Sequence, residues 1–166
     1  KLSLDSKAVK NRIVNEMFNK CIKSKPSPIY SKSFIKRIKL GNFDDDISKI
    51  KSADWIIEVV VEKLEIKQKV FDLIEKHRTP GTIVTSNTSG IPIKLMSKGR
   101  SDDFNKNFAI THFFNPPRYL NLFEVIPSPN CDKHLLSFLL KYGEKYLGKT
   151  SILAKDTPAF LSLIHI

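Results

Sequence analysis

Apolar residues recur at spacings of three and four across residues 6–23: Val9, Ile13, Val14, Met17, Phe18, Cys21 and Ile22. That period draws one face of a helix, with Asp5 or Ser6 available as its cap. Cys21 falls on the stripe and reads as a small buried hydrophobe. Lys25-Pro26-Ser27-Pro28 breaks the pattern. Residues 36–40, with Ile35 before them, supply enough apolar content for a short strand ahead of Gly41, and Asp44-Asp45-Asp46 opens a helical turn.

From residue 54 the period changes. Residues 54–61, DWIIEVVV, form a nearly continuous apolar run rich in β-branched side chains, as expected of a parallel strand covered on both faces. A helix follows over 64–77, with Ile66, Val70, Phe71 and Ile74 on one face. Thr79-Pro80-Gly81 turns the chain into a second strand at 82–86, and a short helix begins near Pro92. Further strands are expected at 108–112, 122–126 and 151–154, with a helix over 132–147 ending at Gly148. Strands alternating with helices predict an α/β fold with a doubly wound, Rossmann-like sheet.

The chain has 166 residues, 41% hydrophobic and 27% charged, enough for one domain with an apolar core and far from a disordered composition. No apolar run approaches membrane-spanning length. The two cysteines have no CxxC pattern and the four histidines no metal-ligand spacing, so no metal is expected; a soluble cytoplasmic protein is the simplest reading. The net charge of +11 brings a polyanion-binding module into consideration. Its excess is regional: residues 1–41 hold eleven Lys or Arg against Asp5 and Glu16. A basic helix face suits polyanions, phosphate-bearing cofactors or plain solvation, and no zinc, helix-turn-helix or RNP-like pattern favours nucleic acid.

A dinucleotide-binding sheet seats the pyrophosphate on a glycine turn at a helix N-terminus. The six glycines here, at 41, 81, 90, 99, 143 and 148, never form a GxG pair. A doubly wound domain for another ligand would explain this. So would the loss of a first strand, glycine turn and second strand ahead of Lys1, an expectation that the opening helix and missing methionine favour.

Three segments fall at predicted strand ends, where open α/β sheets bind ligands. Ser86-Asn87-Thr88-Ser89-Gly90 is a polar strand-to-helix switch that could equally be an ordinary turn and helix cap. Thr111-His112-Phe113-Phe114-Asn115-Pro116-Pro117 places a histidine, the side chain that titrates nearest neutrality, before a proline-locked loop. Leu122-Phe123-Glu124-Val125-Ile126 sets a carboxylate inside an apolar strand, costly unless paired. His112 and Glu124 can be a carboxylate–histidine dyad, with one ring nitrogen fixed and the other left as base. They can also be a satisfied core histidine and a solvent-facing acid on an edge strand. Spacing alone leaves both readings open.

Residues 7–160 resemble the NAD-binding domain of 3-hydroxyacyl-CoA dehydrogenases. The likeness rests on Asp54-Trp55-Ile56-Ile57-Glu58, Val61-Glu62-Lys63-Leu64, Ser86-Asn87-Thr88-Ser89, His112-Phe113-Phe114-Asn115-Pro116, Glu124-Val125-Ile126 and Lys155-Asp156-Thr157-Pro158, in family order and spacing. It is most similar to the branch often fused to an enoyl-CoA hydratase domain. The resemblance implies oxidation of (S)-3-hydroxyacyl-CoA to 3-oxoacyl-CoA with NAD, in fatty-acid β-oxidation or butyrate metabolism. It makes His112 the base and Glu124 its partner, puts Ser89 and Asn115 on the reacting oxygen or carbonyl region, and lines the cofactor site with Glu62, Lys67 and Asn87. It also implies an acyl-CoA partner and a homo-oligomeric parent enzyme, and residues 1–166 alone, without the pyrophosphate turn and the helical domain that closes the acyl-CoA site, are expected to be inactive or nearly so. Residues 161–166 depart from the family and resemble one reading frame of a sequencing adapter; they are expected to be non-native, and His165 takes no functional reading.

Overall fold

A computed structural model of the protein describes residues 5–156. Its helices are α1 (Lys7–Lys10), α2 (Arg12–Lys23), α3 (Phe43–Asp46), α4 (Leu64–His77), α5 (Ile93–Ser97), α6 (Asp102–Lys106) and α7 (Lys133–Leu147). Its strands are β1 (Trp55–Glu58), β2 (Ile83–Ser86), β3 (Phe108–Phe113), β4 (Leu122–Pro127) and β5 (Thr150–Leu153). They form one sheet in the order β1-β2-β3-β4-β5, parallel throughout except that β4 runs against β3. The tail at 161–166 and the end of the Lys155–Pro158 motif lie outside the described residues.

The strands are two-sided, and alternation sorts their side chains. Phe108 and Ile110 of β3 join Val84 and Ile126 in a core with Val70, Phe71 and Ile74 of α4, Ile93 and Met96 of α5, and Phe104 of α6. Ala109 faces the other way, with Phe123 and Val125 of β4, against Leu135 and Leu139 of α7. Helices thus cover both faces. The rings of Phe71 and Phe108 meet edge to face at 5.3 Å between centroids. Such a pair adds about 0.5–1.5 kcal/mol beyond its buried area. α7 ends as the sequence predicts, on Gly148 in the left-handed region at φ 62°. Midway, Gly143 lets α7 close onto the sheet: a Cβ there would stand 2.7 Å from a Phe123 ring carbon and collide with the Ser151 hydroxyl.

The first fifty residues correct several expectations. The helix over 6–23 breaks at Asn11, whose side-chain oxygen is drawn to the Asn42 amide at 2.7 Å, and Ser6 makes no side-chain capping bond. Cys21 is exposed rather than buried, because α2 buries none of its residues. No strand forms at 36–40. Ser31 caps a 3-10 helix over Lys32–Arg37, and Ile38 beyond it, though extended, joins no sheet among the described residues. The run at 54–61 yields only four strand residues, and it is not covered on both faces: Ile57, Val59 and Val61 are exposed. β1 pairs only with β2 among the described residues, so it stands at the sheet edge. On α4 the expected inward residue Ile66 is exposed, and its neighbour Lys67 is buried instead. α6 is an addition, capped by the Ser101 hydroxyl accepting from the Phe104 amide.

Candidate active site

The β3–β4 register places His112 opposite Glu124. Cross-strand neighbours on one face have β-carbons about 5 Å apart. The antiparallel register, set up by the connection over 114–121, therefore brings side chains twelve positions apart together. The His112 Nδ1 to Glu124 Oε2 distance is 2.7 Å. Glu124 is fully buried and His112 is 12% exposed. The pair continues the column begun by Ile110 opposite Ile126, so it sits where the α4-side core gives way to the strand end. β4 lies between β3 and β5, so Glu124 is not the solvent-facing acid of an edge strand. The Phe114 ring packs 4.7 Å from the imidazole between centroids. With Glu124 ionised, its carboxylate can only accept, so Nδ1 carries the hydrogen and Nε2 is the basic nitrogen.

The other candidates gather at the ends of β1, β2 and β3. Asn87, just past β2, is held twice: its amide donates to the Glu58 carbonyl at 2.9 Å, and its side-chain oxygen accepts from the Phe113 amide at 2.9 Å. It joins three strand ends. The polar switch at 86–90 does not cap α5, which starts on Pro92 without a side-chain cap. It is gripped instead by Glu62, whose Oε1 accepts from the Thr88 hydroxyl and from the amides of Ser89 (3.2 Å) and Gly90 (3.1 Å). Partial burial alone would raise the Glu62 carboxyl. The Thr88 hydroxyl, the two amides and the Lys67 charge outweigh it and hold the group below the ordinary carboxylate range.

Lys67 is 1% exposed. Its ammonium lies 3.0 Å from both oxygens of Glu58 and 3.4 Å from Glu62 Oε2. Glu58 is itself buried at the end of β1, where Ser86 Oγ donates to its Oε2 at 2.5 Å and the Val60 amide to its Oε1. Ser86 and Thr88, part of the polar switch, are buried; Glu58, named only within a motif, is buried too, and its pairing with Lys67 is what sequence reasoning passed over. A signal was available: Lys67, Phe71 and Ile74 share the helical spacing of a buried stripe, and a cation there requires a buried acid. Ser89 follows β2, and Asn115 is exposed on the loop after β3. Among the described residues no group of three His, Cys, Asp or Glu side chains could hold a metal ion. No helix among them is long and apolar enough to cross a membrane.

A mostly parallel sheet with helices on both faces and polar groups at its strand ends is the architecture of a Rossmann-like α/β domain. The sequence model of the 3-hydroxyacyl-CoA dehydrogenase NAD binding domain matches residues 4–157, and the chain belongs to that family. It is 50% identical over 161 residues to a "Probable 3-hydroxyacyl-CoA dehydrogenase" of Bacillus subtilis, covering 97% of this chain and 20% of the relative. It is 36% identical over 152 residues to a Rickettsia felis protein whose name describes a fatty acid oxidation complex trifunctional enzyme, covering 92% of this chain and 21% of that protein. The chain thus spans about a fifth of the length of either relative. The crystal structure of (S)-3-hydroxybutyryl-CoA dehydrogenase from Ralstonia eutropha shares the fold, with a TM-score of 0.72 at 24% identity, over 94% of this chain and 54% of that one.

Proposed function

We propose that the polypeptide containing this domain oxidises (S)-3-hydroxyacyl-CoA to 3-oxoacyl-CoA with NAD, in fatty-acid β-oxidation or butyrate metabolism. The observation that carries the reading is the 2.7 Å contact between His112 Nδ1 and the buried Glu124 carboxylate at the end of a central strand. His112 Nε2 takes the proton of the substrate 3-hydroxyl. Glu124 holds the ring in the tautomer whose Nε2 acts as the base and stabilises the imidazolium once the proton has moved. Ser89 and Asn115 hydrogen-bond the reacting oxygen and the carbonyl region beside it.

The family's cofactor fits the strand ends in part. Glu62, with a side chain 42% exposed, and Asn87 offer polar groups at the carboxyl edge of parallel strands, where dinucleotides bind. A GxG cradle for the pyrophosphate is absent from the sequence. When bound, NAD supplies the two-electron acceptor for the substrate carbon. Lys67, held behind Glu62, acts on that site through Glu62. In this reading the working enzyme is a longer homo-oligomeric polypeptide, fused to further domains as in the relative named a trifunctional enzyme. The family resemblance implies a hydratase among them, and residues 1–166 alone are expected to have little or no turnover.

The test is formation of reduced cofactor by the intact polypeptide from NAD and (S)-3-hydroxybutyryl-CoA. Turnover with the (S) substrate, and little with the (R) isomer, supports the reading. No turnover of the (S) substrate by a folded polypeptide that binds NAD defeats it.

A further inference from the structure

Behind the turn that carries Asn87 and Ser89 lies a charged cluster linked to that turn at several points. Glu58 at the end of β1 takes both of its oxygens to Lys67 on α4, one of them also to Ser86, and gives its carbonyl to the Asn87 amide. Lys67 reaches forward to Glu62, and Glu62 grips Thr88, Ser89 and Gly90. Glu58 and Lys67 are buried, at 3% and 1% exposure. A buried ion pair is weak support for stability, since apolar side chains of similar volume often serve as well. What an apolar pair could not do is orient a second carboxylate: the Lys67 ammonium faces Glu58 on one side and Glu62 on the other.

We propose that Glu58 is a positioning residue for the dehydrogenase site: its buried carboxylate anchors Lys67, and Lys67 in turn fixes Glu62 and the 86–90 turn bearing Asn87 and Ser89. This rests on the function proposed above and adds residues outside the dyad. Glu58 touches neither of the reacting groups; it sets the distance at which others stand. A displacement of order 1 Å at such groups costs about 100-fold in rate.

The experiment uses the intact polypeptide and compares Glu58→Gln, Lys67→Met and the double variant. Each single variant strands a buried charge and lowers the melting temperature. The double variant strands none at that pair and regains most of the loss. Its kcat/KM for (S)-3-hydroxybutyryl-CoA nonetheless stays about 10- to 100-fold below wild type, while the pH midpoint set by His112 does not move. A double variant that recovers both stability and kcat/KM overturns the inference, because the pair is then only structural. If the double variant does not fold, Ser86→Ala decides. It removes one hydroxyl from Glu58 but leaves the ion pair, so it lowers the melting temperature less than either single charge variant. It lowers kcat/KM several-fold with an unchanged pH midpoint if the inference holds; wild-type kcat/KM in that variant overturns it. An inactive wild type defeats the proposed function; an active wild type with a fully active double variant defeats only the role of Glu58.

Discussion

Two buried glutamates, 66 positions apart in the chain, each face a basic side chain, and under the proposed function the two pairs do different work. Glu124 meets His112 across an antiparallel register, at 2.7 Å. Glu58 meets Lys67 from a strand end to a helix face, at 3.0 Å to both oxygens. Histidine changes charge near neutral pH, so the first pair can take up and release a proton during turnover. The Lys67 ammonium is buried and held by both oxygens of Glu58, so the second pair is a fixed anchor. A buried acid by itself does not mark the chemistry; the base opposite it does.

Replacing the partners separates the two pairs by readout. The largest effect is expected from Glu124→Gln in the intact enzyme, which keeps the ring's neighbour but loses the charge that stabilises the imidazolium. Turnover should fall by about 100- to 10,000-fold, the range of general acid–base contributions, with the fold intact; steady-state assays and thermal melting check both halves. Lys67→Met adds a loss of stability to the loss of kcat/KM expected of the anchor, because a buried carboxylate is left without its cation. Stability should drop by about 3–5 kcal/mol in chemical denaturation.

Glu62 gives a smaller, pH-dependent effect. Its folded carboxyl lies below the ordinary value of 4.5, so it contributes stability that is fully present above that value and is lost as pH falls through the folded one. Glu62→Gln should therefore lower stability at pH 7 and narrow its gap to wild type toward pH 3, as denaturation midpoints at the two pH values would show. The smallest effect concerns the cysteines. Burial pushes the Cys131 thiol up to about 11, with the Asp132 charge adding to it and the Ser128 contact opposing, while Cys21 is exposed. Alkylation near pH 8 followed by mass spectrometry should label Cys21 first.

The sequence was legible where its side chains meet partners close along the chain or across the sheet. α4 has the predicted bounds, α7 ends at its glycine, and β2, β3 and β4 lie within a residue of expectation, because each is stapled into a two-sided core. The dyad was legible as a possibility, since register turns a twelve-residue spacing into a contact. The antiparallel placement of β4, which makes that register, was not foreseen from an apolar run. Within residues 5–53 the helical stretch and the turn at 44–46 were legible. The burial of the apolar stripe and the strand at 36–40 were misread, because periodicity reports amphipathicity and says nothing of what covers it. Ile13, Met17 and Phe43 remain exposed around a groove of about 820 Å³. The anchor pair was missed for a related reason: Lys67 sits beside Ile66, and only the helix's rotation decides which of the two faces the core.

The most direct measurement is the turnover of His112→Gln in the intact enzyme, with affinity for reduced NAD measured on the same preparation. A fall of about 100-fold or more, with cofactor affinity within a few-fold of wild type, is what a proton acceptor at this position predicts. Wild-type turnover in a variant that still binds the cofactor would show that the proton leaves by another group, and the His112–Glu124 pair would then be part of the core and nothing more.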